Sequence, residues 1–213
     1  YDNGSLKVNY AEVFGGINYI TRRDSSTLWI GTKNGLYSFD KHTHEKQRIV
    51  LRLEQFKVNT LHQAADGTVY VGTHHHGLIV FNEEDNYYQR YHKDNSALTS
   101  NAMKCIVSAD NQSLYISTDG GIVRFNTNTG RITTWTHDQG LQGVSFNAGA
   151  GIATYRHTLM LGSDMGAIEI PANATLPHIY KGKLVLSDLY IGNSRVYPDD
   201  KGSPLNDALN NVD

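Results

Sequence analysis

Hydrophobic and polar residues alternate along this chain in short runs that are typical of β-strands. The tract from Leu28 to Asp40 holds two such runs, one on each side of the polar segment Thr32-Lys-Asn-Gly35. Side chains of a strand point to its two faces in turn, and both faces of these runs carry apolar residues. The pattern therefore predicts two strands that are packed on both faces and joined by a tight turn at a glycine.

The same tract returns three times in altered form. Its copies are Val69 to Asn82, Leu114 to Asn126 and Leu159 to Pro171. Aligned on the second residue of each tract, Trp29, Tyr70, Tyr115 and Met160 follow one another at intervals of 41, 45 and 45 residues. A repeat of this length that is made of strands predicts the blades of a β-propeller.

Each copy is flanked by two further strand-like segments. We expect an innermost strand before each hairpin, at Ile17 to Ile20, Val58 to Leu61, Met103 to Val107 and Gly149 to Ala153. We expect an outer strand after three of the hairpins, at Lys46 to Leu51, Tyr87 to Tyr91 and Arg131 to Trp135. The fold class is therefore all-β, with blades of four antiparallel strands.

The aromatic residues of the repeat have a structural interpretation. A blade cannot bury both of its faces alone, so it must stack on its neighbours. The side chains expected in the seams between blades are Trp29, Tyr70 and Tyr115 together with Phe39, Phe81 and Phe125.

The pattern divides the chain into three parts. Residues 1–10 resemble the outer strand of a preceding blade, and residues 11–177 form four blades at about 11–52, 53–95, 96–138 and 139–177. Because rings of about six to eight blades are commoner than rings of four, we expect a piece of a seven-bladed propeller. The repeat stops after Pro171, and residues 178–213, with a strand at Lys183 to Ile191, are expected to begin a truncated Ig-like β-sandwich.

Composition narrows the choice of partners. The 213 residues are 39% hydrophobic, which suffices for a core, and their formal net charge is −2. Without clustered basic residues, the chain shows no footprint for nucleic acid or for a membrane surface. Cys105 is the single cysteine and lies in an apolar segment, where we expect a buried small side chain. No cofactor is indicated.

One motif resembles a known family. The tract Leu28-Trp-Ile-Gly-Thr-x-x-Gly-Leu-x-x-Phe-Asp40 resembles the two-component regulator propeller repeat, and Gln139-Gly-Leu-x-x-x-x-Phe-Asn147 resembles the start of the last blade of such a propeller. The segment after that blade is similar to the opening of the β-sandwich named for three tyrosines. Ser117, where the repeat has glycine, and the aromatic-free Ala167 to Ile170 depart from the pattern.

The resemblance implies a function. Proteins of this family are hybrid two-component sensors of Bacteroidetes, whose periplasmic propellers detect products of polysaccharide breakdown. They form homodimers and signal through a downstream membrane helix to a histidine kinase that controls transcription. For this chain the resemblance implies a periplasmic, carbohydrate-sensing segment that meets the membrane only through that missing helix.

A candidate ligand site lies on one rim of the expected propeller. The turn that contains His74, His75 and His76 should share this rim with Asn59, Asn101 and Asn147, and imidazole and amide groups suit sugar hydroxyls and carboxylates. Successive residues of a turn point in different directions, so we do not expect the three histidines to bind one metal ion. The alternative is a solvated turn beside asparagines that close backbone turns.

Catalysis has little support in the sequence. No inward pair of carboxylates, no Gly-x-Ser-x-Gly elbow and no phosphate-binding glycine loop stands out. We therefore expect a sensor rather than an enzyme. The open alternatives are a propeller-fold polysaccharide lyase or glycosidase, and a purely structural propeller segment without its own ligand site.

Overall fold

The computed structural model describes residues 14–108, 110, 112–136, 139, 141, 145–154, 158–171 and 190–197. The chain divides into two compact units, Tyr1–Leu176 and Pro177–Asp213. The strand expected at residues 1–10 lies outside the described residues, as does most of the segment 178–213. The number of blades in a complete ring stays a prediction.

The first unit consists of antiparallel sheets whose strands follow one another in chain order. The first sheet comprises β1 (Ile17–Arg22), β2 (Thr27–Thr32), β3 (Gly35–Asp40) and β4 (Lys46–Ile49). The second comprises β5 (Val58–Gln63), β6 (Val69–Thr73), β7 (Leu78–Asn82) and β8 (Tyr87–Tyr91). The third comprises β9 (Met103–Ser108), β10 (Ser113–Thr118), β11 (Gly121–Asn126) and β12 (Ile132–Trp135). The fourth comprises β13 (Phe146–Ala153), β14 (Leu159–Ser163) and β15 (Gly166–Ile170) within the described residues.

These sheets are the predicted blades, which confirms the all-β propeller. Each innermost strand lies beside the innermost strand of the next blade, in the order β1, β5, β9 and β13. The fourth innermost strand begins earlier than expected, at Phe146 instead of Gly149. Its pairing with β14 shifts register between Phe146 and Gly151, and this irregularity interrupts the alternation from which the strand was predicted.

A hydroxyl residue closes the turn between the second and third strands of each blade. In the first blade the Thr32 hydroxyl donates to the carbonyl of Gly35 at 2.9 Å, and Thr73 donates in the same way to Gly77 at 2.7 Å. Both glycines have positive φ, +133° and +77°, as the sequence predicted for this turn. The turn at Gly77 is one residue longer, yet it keeps the hydrogen bond from the threonine hydroxyl to the glycine carbonyl. The additional residue is a histidine.

Three seams between the blades hold most of the core. Trp29 packs edge-on against Phe81 at 6.0 Å between ring centroids, and Tyr70 packs against Phe125 at 5.8 Å. Tyr115 instead stacks on Trp135, because the fourth blade has Ile170 where the earlier blades have phenylalanine.

Phe39 lies on the opposite face of the first blade, 5.8 Å from Phe14. The prediction of aromatic seams is therefore confirmed for Trp29, Tyr70, Tyr115, Phe81 and Phe125. Phe39 is also buried, but within a separate cluster on the other face of its blade.

The glycine of the repeat allows neighbouring blades to approach. A Cβ at Gly72 would lie 2.4 Å from the Thr60 side chain and 2.9 Å from that of Met103, which opens the next blade. Ser117 occupies this position in the third blade and is fully buried.

The second unit is described only at a short hairpin. It comprises β16 (Tyr190–Ile191) and β17 (Ser194–Arg195), joined through Gly192. The remainder of the strand expected at Lys183 to Ile191 lies outside the described residues. The β-sandwich therefore stays a prediction.

Candidate functional site

The histidine turn lies at one edge of the second blade, where innermost strands begin. Val58, the first residue of β5, pairs with Thr73, the last residue before the turn. In the third blade Met103 pairs with Thr118 at the corresponding place. The turns of neighbouring blades therefore meet the starts of the innermost strands along one edge, as predicted.

His74 is anchored to this edge by its backbone and its ring. Its amide donates to the carbonyl of Lys57 at 2.9 Å, and its Nδ1 lies 3.4 Å from Nδ2 of Asn59. The ring of His75 lies 4.0 Å from that of His74, centroid to centroid. His76 turns back, and its amide donates to the Thr73 hydroxyl at 2.8 Å. The three imidazoles thus occupy different environments within one turn.

Asn59 has a structural role in addition to its contact with His74. Its side-chain amide donates to the carbonyl of Met103 at 2.8 Å, across the seam between the second and third blades. Asn18, at the corresponding position of the first blade, donates to the carbonyl of Val58 at 3.2 Å. The asparagine at the second position of an innermost strand is therefore a recurrent tie between blades.

The other two predicted asparagines differ from each other. The carbonyl of Asn101 accepts a hydrogen bond from the Gly77 amide at 3.0 Å, and its Oδ1 accepts one from the Lys93 amide at 2.8 Å. Asn101 therefore fastens the loop before β9 to the histidine turn. Asn147 is exposed on β13 of the fourth blade, and no contact joins it to the histidines within the described residues.

Three charged residues that the sequence interpretation did not single out belong to this edge. Lys104 forms an ion pair with Asp119, with 2.9 Å between Nζ and Oδ1. The charges of Lys57, Lys104 and Asp119 all act on His74. A signal for two of them was present: Lys104 occupies the repeat position of Asn59, and Asp119 occupies that of His74. We call Lys57, Asn59, His74, His75, Lys104 and Asp119 the histidine rim.

Two imidazoles of the histidine turn, those of His74 and His76, have lowered pKa values. Desolvation lowers the pKa of His74, and His75, Lys57 and Lys104 lower it further, while Asp119 acts in the opposite sense. Desolvation also lowers the pKa of His76, helped by Arg90 and His75. An imidazole with a lowered pKa is uncharged at pH 7, so one ring nitrogen accepts a hydrogen bond while the other donates. Neighbouring ammonium groups add donors for hydroxyl or carboxylate oxygens.

Within the described part of the chain, no group of three or more histidine, cysteine or acidic side chains is arranged to hold a metal ion. Among the same residues, no helix has the length and apolar character needed to cross a bilayer.

Comparison with known proteins connects the fold to signalling proteins. A histidine kinase, P4, of Formosa agariphila is 20% identical over 177 residues, which are 79% of this chain and 13% of that protein. The extracellular domain described as that of the hybrid two-component system BT3049 of B. thetaiotaomicron superposes on 78% of this chain with a TM-score of 0.61 and 17% identity. The corresponding domain of BT4673 from the same organism superposes on 72% of it, with a TM-score of 0.58 and 21% identity.

These similarities confirm the resemblance to two-component propellers that the repeat indicated, and at this level of identity the superpositions establish the fold. No family model matches the chain. The chain spans only 24% and 21% of the two superposed domains. The activities of those longer proteins are therefore applied to this chain only as proposals.

Proposed function

We propose that this chain is part of the periplasmic ligand-sensing region of a hybrid two-component sensor, and that the histidine rim binds an oligosaccharide released from a polysaccharide. The observation that carries the proposal is the arrangement around His74, where a neutral imidazole, an amide and two ammonium groups from adjacent blades converge on one edge. Loops on a rigid scaffold are a usual place for ligand recognition, and these groups suit sugar oxygens.

The proposed mechanism is a shift between conformations of the intact sensor. The rim joins the second and third blades through Asn59 and Met103, so a ligand held there acts on the geometry of a seam. A ligand that binds one geometry better than another changes the population of the two. In the proposed sensor, which acts as a homodimer, that change controls a histidine kinase on the other side of the membrane.

Calorimetric titration of the chain with a panel of neutral and acidic oligosaccharides tests the rim. His74→Ala should weaken binding about three- to tenfold, since one hydrogen bond is lost. His42→Ala is the matched control, because His42 is exposed in the turn after β3, at the opposite edge of its blade. Product analysis of each mixture should recover the sugar intact, whereas its cleavage would favour the lyase or glycosidase alternative.

The same titration repeated between pH 8 and pH 5.5 tests the state of the imidazole. Because the pKa of His74 is lowered, its neutral form persists to a lower pH than that of a free histidine. Affinity for a neutral sugar that donates to this nitrogen should stay constant above pH 6.5 and fall as the pH drops through the lowered pKa. Affinity that is the same in His74→Ala at every pH would remove the rim from the proposal.

A further inference from the structure

A cavity lies between the second and third blades, at the edge opposite the histidine rim. Its volume is about 380 Å³, within the range of about 300–1,000 Å³ that is usual for small-molecule sites. The side chains that characterise it are polar and aromatic: Asp66, Tyr70, Asp85, Tyr87, Tyr91 and Asn128. We call this cavity the tyrosine pocket.

Tyr70 is the unusual member of the pocket. Its side chain is 3% exposed and lines the cavity, yet it makes no hydrogen bond with any residue that the structure describes. Among the described residues, Ser117 Oγ is the one fully buried side-chain polar atom without a hydrogen-bond partner, so the Tyr70 hydroxyl is open to the space of the cavity. Burial, together with the nearby charge of Asp66 and the phenols of Tyr87 and Tyr91, raises the pKa of Tyr70 to about 12. The hydroxyl is therefore a neutral donor that faces the cavity.

The equivalent position in the preceding seam is built differently. Trp29 corresponds to Tyr70, and its indole nitrogen donates to Gln63 at 2.8 Å. The guanidinium of Arg23 lies over the indole at 4.4 Å and forms an ion pair with Glu83 of the next blade at 2.6 Å. In that seam the polar atom of the aromatic residue has a partner, and an ion pair crosses the opening above a smaller cavity of about 240 Å³.

Among the residues that the structure describes, the seam at Tyr70 has neither the hydrogen bond to the polar atom of the aromatic residue nor the ion pair. Ala64 stands at the repeat position of Arg23, and Thr127 stands at that of Glu83. Both residues line the tyrosine pocket. Replacement of the ion pair by two short side chains widens the opening. The cavity of the preceding seam, beside Arg23 and Glu83, measures about 240 Å³, against about 380 Å³ for the tyrosine pocket.

The chemistry of the lining selects a ligand class. Two carboxylates, three phenols and several amide and hydroxyl groups face the space, and none of the described residues that line it is lysine, arginine or histidine. Such a site accepts hydrogen bonds from hydroxyl groups and repels anions. Aromatic residues beside carboxylates and amides also suit the mixed polar and apolar surface of a sugar ring.

The geometry points to the tyrosine pocket as a binding site for a hydroxyl-rich sugar unit without an acidic group, with the Tyr70 hydroxyl as one of its donors. This site is separate from the histidine rim, and it does not depend on the rim binding a ligand. The two sites lie at opposite edges of the seam between the second and third blades.

Titration of the chain with matched monosaccharides and their disaccharides tests the pocket, by ligand-observed NMR and calorimetry. The probes are neutral hexoses of several configurations, the corresponding amino sugars and the corresponding uronates. We expect binding of at least one neutral or amino sugar, at least tenfold weaker binding of its uronate, and a loss of about threefold or more in Tyr70→Phe. That variant retains the ring and removes only the hydroxyl.

A double variant narrows the pocket with the residues of the preceding seam. Ala64→Arg with Thr127→Glu should weaken binding at least tenfold, whereas Arg23→Ala with Glu83→Thr, the reverse exchange in the preceding seam, should leave it unchanged. The titrations are repeated in a His74→Ala background, which removes the contribution of the rim; binding that persists there and is weakened by Tyr70→Phe belongs to the tyrosine pocket. Failure of every sugar to bind, binding that Tyr70→Phe and the double variant Ala64→Arg with Thr127→Glu both leave intact, or equal affinity for the uronate would each overturn the inference.

Discussion

Ser117 shows at the scale of one residue how a departure from the repeat affects the fold. It replaces the glycine that allows close approach in the other blades, and it is fully buried. Its hydroxyl has no hydrogen-bond partner among the residues that the structure describes. A buried hydroxyl in this state opposes folding, because it has given up water without a replacement.

Removal of that hydroxyl should therefore stabilise the protein. We expect Ser117→Ala to raise the free energy of unfolding by about 1 kcal/mol. Ser113→Ala is the matched control on the same strand, because the Ser113 hydroxyl is equally buried but accepts hydrogen bonds from Arg124 at 3.1 and 3.2 Å. The control should lose about 1–2 kcal/mol. Urea denaturation of both variants measures the difference, and equal effects of the same sign would contradict the assignment.

At the scale of elements, the innermost strands are tied to each other by side chains as well as by packing. The Asn59 amide reaches the Met103 carbonyl from a buried position, 4% exposed, whereas Asn18 makes the equivalent bond to Val58 from an exposed position. Both accepting residues are buried, but the Asn18 bond is partly open to solvent, so water can replace the lost donor there, whereas the Asn59 bond is enclosed.

Substitution of the two asparagines should thus have unequal effects. Asn59→Ala should lower the free energy of unfolding by about 1–3 kcal/mol, and Asn18→Ala by roughly 0.5 kcal/mol. Thermal and urea unfolding of the two variants give the comparison. Equal losses would show that the tie across the seam does not depend on burial.

The strands and turns also show which features of the structure could be predicted from the sequence and which could not. The strands were predictable because alternation and turn glycines are local signals, as the bounds of β8 and the positive φ of Gly35 illustrate. The seam aromatics followed from the repeat. The grouping of Lys104 with His74 was less visible, because it depends on residues of two blades about 30 positions apart.

The tyrosine pocket could not be predicted from the sequence for a related reason. Its size follows from the absence of an ion pair between positions 64 and 127, and that absence is apparent only because Arg23 and Glu83 form an ion pair across the preceding seam. Short residues in a loop carry no signal of their own. Only the position of Ala64 and Thr127 in the folded repeat shows that their short side chains leave a cavity.

At the scale of the whole propeller unit, the blades differ in how fully they are covered. The second and third blades have neighbours on both faces, and their first three strands are almost wholly buried. The first and fourth blades are open along their innermost strands, where Ile20 is 54% and Ile152 is 62% exposed. In repeat proteins, stability is approximately a sum of the terms for each unit and for its interfaces with its neighbours.

Hydrogen exchange followed by mass spectrometry should reveal this gradient in the chain. Local opening needs less free energy where fewer apolar contacts are broken, so amides of β1 and β13 should exchange faster than those of β5 to β7 and β9 to β11. Leu161→Ala, which removes a fully buried side chain from the third seam, should speed exchange in the fourth and third blades and leave the first blade nearly unchanged. Equal protection in all four blades, or an equal response of the first and fourth blades to that substitution, would show that the propeller unit opens as one cooperative whole instead of seam by seam.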